Sequence, residues 1–409
     1  MRIIAAILLS VLSLSMMAQR ELQSRYPFMH LEDNRIQVLG DDDKVEDFFE
    51  KLDDLAFNGE GNISILHMGG SHVQAGTLSQ AMREGMHAMS PGLKGNRGFF
   101  FPFRLAHTNE PRNFSISSTG DWDGYRCSVN NHSARWGMSG IVATTTDADS
   151  RTTIVAYDGD TGKYRFSTIR IYHPSGGEYY HPIIDSNQYT VDTIFFDSRG
   201  FTEFRFRGNY SEFVFELDGS DSAESFVWQG VEFVNDWPGM SYHAIGVNGA
   251  STKSYLRCED FESQIKALAP DLVVFGIGIN DAYMSQDRFE PEVFKARYDS
   301  LMDMLEAANP SVVFLFLTNN DSYYRRRYPN PNALEVQRVM KELAEERDGM
   351  YWDLFEVMGG LGSVDLWVDR GLARSDRIHM SPDGYRLQAE LLTYAIERAW
   401  LNHLEEHAR

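Results

Sequence analysis

The sequence predicts a three-layer α/β/α domain built on a parallel sheet and interrupted by an inserted antiparallel β-sandwich of jelly-roll-like type. Three observations carry this. Near-continuous apolar runs such as Leu272-Val-Val-Phe275 and Val312-Val-Phe-Leu-Phe-Leu317 read as strands buried on both faces, as in a parallel sheet covered by helices. Strand and helix patterns alternate up to about residue 106 and again from about 239. Between these stretches, short β-branched and aromatic segments follow one another with no amphipathic helix.

Taken in order, Arg2 precedes an apolar run from Ile3 to Leu14, then Ser15-Met-Met-Ala18, which fits a secretory signal peptide cleaved after Ala18. The apolar core of this segment is too short for an ordinary membrane span, and no later segment reaches about 18 to 20 uninterrupted apolar residues. Val45, Phe48, Phe49, Leu52, Leu55 and Ala56 have helical spacing, and Asn62–Met68 reads as a buried strand. A Gly-Gly-Ser turn leads into a helical stretch from Ala75 to Met89, so Ser71 falls where a strand passes into a helix.

From His107 to Pro238 the strand candidates are Thr152–Tyr157, Tyr164–His173, Tyr189–Phe196, Phe201–Phe206, Phe213–Leu217 and Ser225–Phe233. Beyond them, strands at Ser241–Val247, Asp271–Gly278, Ser311–Thr318 and Met350–Leu354 alternate with helices at Phe261–Ala269, Pro291–Ala308 and Asn332–Asp348. A last helix runs from Pro382 to about His403, capped by Ser381. The expected division is a signal peptide at 1–18, a first α/β part at 19–106, the β insert at 107–238 and a second α/β part at 239–409.

The chain has 409 residues, 59 acidic against 38 basic, and a formal charge of −21. Such a charge repels phosphate and argues against nucleic acid or an anionic membrane surface as a partner. Two cysteines, Cys127 and Cys258, cannot make a disulfide framework, although an exported compartment would permit them to pair.

Four segments lie at strand ends or just before a helix: Gly69-Gly-Ser-His-Val-Gln74, Gly246-Val-Asn-Gly-Ala-Ser251, Gly276-Ile-Gly-Ile-Asn-Asp281 and Asp376-Arg-Ile-His379. In open α/β sheets ligands bind beyond the carboxyl ends of the strands, which is where the first three segments fall. Their residue types suit acyl transfer. Ser71 is a nucleophile in a tight corner, His379 the base it requires, and Asp376 the carboxylate that orients the base. The Ser71 N–H, the Gly249 N–H and the Asn280 amide supply donors for an oxyanion. Taken singly, each block has a plainer meaning: Gly249 a turn residue with positive φ, Asn280-Asp281 a helix cap.

With these blocks in this order, the sequence resembles the SGNH (GDSL-type) hydrolase family, named for its Ser, Gly, Asn and His, matched here by Ser71, Gly249, Asn280 and His379, with Asp376 in the Asp-x-x-His position. The resemblance implies a flavodoxin-like SGNH hydrolase domain, a Ser-His-Asp triad of Ser71, His379 and Asp376, and an oxyanion hole of Ser71, Gly249 and Asn280. The family's first block reads Gly-Asp-Ser, whereas this chain has Gly70 in place of the aspartate. The Ser-His-Val-Gln continuation and the position of the insert resemble peptidoglycan O-acetylesterases of the group.

That resemblance implies a secreted esterase that removes O-acetyl or another short acyl group from a polysaccharide such as peptidoglycan, with no metal and no cofactor. Two alternatives follow from particular residues. Gly70 admits a catalytically weakened glycan-binding protein, and Gly98-Phe-Phe-Phe101 could line an acyl pocket for a lipid ester. Substrate-binding candidates are Arg325 and Arg326, basic in an acidic chain, and Trp122 of the insert, whose tryptophans are core residues by default and sugar platforms only if exposed. His403-Leu-Glu-Glu-His407 matches a zinc pattern, but at a chain end where a helix frays.

Overall fold

A computed structural model describes residues 21–159, 162–185 and 187–407. The expected signal peptide, residues 1–18, lies outside them. The apolar strands assemble side by side in one six-stranded sheet. Its spatial order is Gln37–Val38, Met350–Trp352, Val313–Leu317, Leu272–Gly276, Asn62–Gly69 and Gly239–Gly246. All neighbours are parallel except Gln37–Val38, an antiparallel edge strand.

Alternation of side chains explains why these strands are apolar throughout. Ile63, Ile65, Val274, Val313 and Leu315 face a cluster with the helices Asp43–Asp53, Thr77–Met89 and Pro382–His407. Leu66, Met68, Val273, Phe275, Phe314 and Phe316 face the helices Phe261–Leu268, Pro291–Glu306 and Asn332–Glu346. Both faces of the sheet are thus covered, as a parallel sheet requires.

Register then places the chemistry. Gly69 pairs with Gly246 on one side and with Gly276 on the other, so three motif segments leave three adjacent strands at the same level. The Asn62–Gly69 strand is also where the sheet order reverses, because the chain adds Gly239–Gly246 on one side and every later strand on the other. A crevice opens beyond the strand ends at such a reversal.

The intervening chain forms antiparallel sheets. One joins His181–Ile183, Phe213–Asp218, Arg151–Asp158 and Phe114–Ser118, with Gly162–Lys163 beside them. A second joins Val191–Asp197, Phe201–Tyr210, Phe166–Tyr172, Gly230–Val234 and Gly98–Phe100, and a smaller one joins Phe226–Trp228, Ile141–Thr145 and Asp123–Arg126.

Two details differ from the sequence expectation. The antiparallel sheets of the intervening chain already take in Gly98–Phe100, before His107. The expected strand Ser225–Phe233 is two strands in different sheets, divided at Gln229. Gly230 makes the switch possible: its φ is +149, and a Cβ there would lie 2.0 Å from the Phe99 ring. The cores are continuous, because Phe99, Phe166, Trp228 and Phe233 belong to the same cluster as Phe275 and Phe316. Cys127 and Cys258 are buried free thiols. Burial, and then the neighbouring Cys127 thiol, push the Cys258 thiol well up. Among the described residues no helix is long and apolar enough to cross a membrane.

Candidate active site

The short helix Ser71–Gln74 follows the Asn62–Gly69 strand after Gly70 alone, so Ser71 stands at its first position. The Ser71 hydroxyl lies 2.9 Å from His379 Nε2, and His379 Nδ1 lies 2.9 Å from Asp376 Oδ2. The other Asp376 oxygen accepts from the Ile378 N–H at 2.9 Å and the His379 N–H at 3.0 Å. Burial pushes the Asp376 carboxyl upward, but the His379 backbone and ring and the Ile378 N–H outweigh it and hold the carboxyl below its ordinary value. It therefore stays an acceptor. His379 Nδ1 is the donor of that pair, which leaves Nε2 to accept from Ser71.

A cavity of about 550 Å³ opens on this chain of hydrogen bonds, and Ser71, Gly249, Asn280 and His379 all line it. Gly249 has φ +78, which a glycine adopts without strain. Asn280 spends one side-chain N–H on the Ala250 carbonyl at 2.8 Å, which fixes the amide and leaves its second N–H. Among the described residues the Ser71 and Gly249 N–H groups donate to no other protein group. All five residues expected at the site from the sequence meet here.

Several residues that hold these groups escaped the sequence reading. Asp281 accepts from the Thr252 N–H at 3.1 Å and its hydroxyl at 2.6 Å, tying the Asn280 loop to the Gly249 loop. Gln74 Oε1 accepts from the Asn248 N–H at 2.6 Å, and Asn248 Nδ2 reaches Asn109 Oδ1 at 2.6 Å. From the antiparallel part, the Ser128 hydroxyl donates to the Asn248 carbonyl at 2.7 Å. His72 stacks on His379 with ring centres 5.3 Å apart and 24° between planes, and its Nδ1 meets the Tyr385 hydroxyl at 3.0 Å. Burial first, and His379 second, lower His72 to about 3, so it is a neutral neighbour. Gln74, His72, Asn248 and Asp281 were visible only as members of the motif segments, with no role in holding the site assigned to them. Asn109, Ser128 and Tyr385 give no local signal, because their partners are far away in the chain.

Gly70 leaves the geometry intact. A Cβ at that position would approach Asn280 Nδ2 to 3.2 Å.

The remaining candidates lie elsewhere. Trp122 requires a correction: it is 7% exposed, its Nε1 donates to the Ser118 hydroxyl and the Thr119 carbonyl, and its ring packs 6.0 Å from Trp228. Little of its ring is left open for stacking on a sugar, and it lines a separate cavity with Arg104, His107 and Asp121 rather than the Ser71 cavity. Phe99, Phe100 and Phe101 are buried and do not line that cavity either, which removes the residues that suggested a lipid ester. Arg325 and Arg326 are exposed at the turn between Tyr323–Tyr324 and Tyr328–Pro329, and the Arg325 N–H donates to the hydroxyl of Tyr283, a lining residue.

Residues 218–387 match the model of the GDSL-like Lipase/Acylhydrolase family; this span contains Gly249, Asn280, Asp376 and His379, and Ser71 precedes it. A solved structure of a peptidoglycan O-acetylesterase aligns with 89% of this chain and 99% of its own, at 20% identity and a TM-score of 0.73. An acetyl xylan esterase aligns with 40% of this chain and 81% of its own, at 20% identity and a TM-score of 0.31. A lipase/acylhydrolase from Enterococcus faecalis aligns with 40% and 78%, at 23% identity and a TM-score of 0.31. No curated protein matches the sequence. The chain has an SGNH/GDSL-type hydrolase fold, with a β-rich region added to the parallel core.

Proposed function

We propose that this protein is an exported serine esterase that removes O-acetyl or another short acyl group from a polysaccharide, with peptidoglycan as the leading candidate. The observation that carries this reading is the hydrogen-bonded sequence Ser71–His379–Asp376 at the mouth of a cavity where three N–H donors are free. The aligned peptidoglycan O-acetylesterase supports the choice of polymer, and the apolar run at Ile3–Leu14 supports export. The strand order supports a flavodoxin-like core in two hydrolase parts, expected at 19–106 and 239–409, with a jelly-roll-like insert expected at 107–238 whose sheets also take in Gly98–Phe100.

In the proposed reaction Ser71 Oγ attacks the ester carbonyl while its proton passes to His379 Nε2. Negative charge on the carbonyl oxygen is met by the Ser71 and Gly249 N–H groups and the free N–H of Asn280. Asp376 stabilises the imidazolium. His379 then returns the proton to the departing sugar oxygen, leaving an acyl group on Ser71. Water, deprotonated by His379, releases the acid and restores the serine.

Ser71→Ala should lower acetate release by roughly 10⁴-fold or more with the melting temperature unchanged. Unchanged turnover in that variant would sink the assignment. O-acetylated peptidoglycan compared with acetylated xylan, assayed by the same acetate release, selects the polymer.

A further inference from the structure

The charge around the Ser71 cavity is unlike that of the chain as a whole. The chain carries −21, yet among the described residues no Asp or Glu lines the cavity, and Arg374 is the one arginine or lysine that does. Its guanidinium is exposed and has no hydrogen bond or ion pair among the described residues. Neighbouring arginines are engaged: Arg377 holds Asp365 at 2.5 Å, and Arg386 holds Asp383 at 2.8 Å. An unpaired surface arginine is ordinary in itself. What distinguishes Arg374 is how its backbone is fixed.

Arg374 N–H donates to the His379 carbonyl at 2.8 Å, Ala373 bridges Met380, and Ser381 N–H donates to the Leu372 carbonyl at 2.8 Å. Residues 372–381 therefore form a tight hairpin in which Arg374 stands directly opposite His379 and Asp376 sits in the turn. The structure that aims the imidazole at Ser71 also sets the origin of the Arg374 side chain. Tyr283 also lines the cavity and is 38% exposed. Its ring lies 5.3 Å from Tyr324, over which the Arg325 guanidinium sits at 5.1 Å. An aromatic edge and a second cation thus adjoin the same opening.

We propose that Arg374 forms an anion subsite that takes a carboxylate on the glycan bearing the scissile ester, while the sugar ring rests against Tyr283. This deepens the esterase reading and rests on it: the substrate becomes an O-acylated acidic glycan, either a uronic acid polymer or one with lactic acid ether-linked to its sugars. A planar carboxylate fits the guanidinium fork through two parallel N–H···O bonds. The subsite also gives local relief to a polyanion that the rest of this acidic surface repels.

The test measures binding, so it does not depend on turnover. Ser71→Ala protein is titrated calorimetrically with an acetylated oligogalacturonate and with a glycan carrying free lactyl carboxylates, each compared with its methyl ester. At least one free carboxylate form should bind about tenfold or more tightly than its ester. Arg374→Gln should abolish the difference and Arg374→Lys restore part of it, with melting temperatures confirming that each variant is folded. Equal affinity for acid and ester, no binding of either acid, or a preference that survives Arg374→Gln would overturn the proposal. Absence of acetate release from every ester by the wild-type protein, with the carboxylate preference intact, would instead remove the esterase reading and leave the subsite standing.

Discussion

In the α/β part, the strands Asn62–Gly69, Gly239–Gly246 and Leu272–Gly276 end in register, and the chain leaves them in loops that carry Ser71, Gly249 and Asn280. In the antiparallel part, the aromatic residues turn inward: Trp122, Trp136 and Trp228 are 7%, 4% and 0% exposed. One region presents its functional groups at strand ends; the other buries its large side chains and contributes supports. Ser128 holds the Asn248 carbonyl, and the carbonyls of Cys127, Val129 and His132 accept from Arg257 of the α/β part. The difference indicates that the added region braces the Gly249 loop from outside.

Acid should separate the two regions most strongly. Burial lowers His67 and His72 to about 3 and His87 and His243 to about 4, all in the α/β part, whereas His173, at about 4, is the corresponding histidine of the antiparallel part. A histidine whose folded value lies below its unfolded value of 6.5 favours the unfolded chain as pH falls through 6.5. Each would cost about 2 kcal/mol of stability at pH 5. Hydrogen exchange between pH 7 and pH 5 should therefore show protection falling in the parallel sheet before the antiparallel sheets. Asp376 runs the other way: held below its ordinary value, it stabilises the fold above about pH 4 and loses that effect only as pH falls further.

Asp376→Asn should lower kcat by roughly 10³- to 10⁴-fold, because the amide cannot hold the imidazolium. Melting should change little beside that. Trp228→Ala should do the reverse. It empties a fully buried site whose Nε1 donates to the Gly230 carbonyl at 2.8 Å, and calorimetry should record a loss of about 3–5 kcal/mol. The protein that remains folded should keep kcat within a few-fold. Ser128→Ala is the smallest change: about 1 kcal/mol of support for the Asn248 carbonyl is lost. Steady-state kinetics should show a few-fold fall in kcat with KM nearly constant, whereas a KM effect alone would place the brace on substrate binding instead.

How legible each region was in the sequence follows the same division. Strand ends and blocks such as Asp376-x-x-His379 are local patterns, so the five expected site residues could be read off and are found together. The antiparallel strands were legible as β structure, but the sheet switch at Gln229 was not, because it depends on how Phe99 packs against Gly230. Trp122 stayed a candidate for sugar stacking because a tryptophan looks the same in sequence whether its face is covered by Trp228 or open; the structure covers it. Arg374 gave no signal. Its place opposite His379 comes from a hairpin whose hydrogen bonds join residues with no patterned spacing.

The central claim is that Ser71 is an activated nucleophile, and mass spectrometry after reaction with a fluorophosphonate tests it most directly. A single adduct on Ser71 is predicted in the wild-type protein, strongly reduced in His379→Ala and absent from Ser71→Ala. No adduct in the wild-type protein, or one that persists at another residue after Ser71→Ala, would contradict the account.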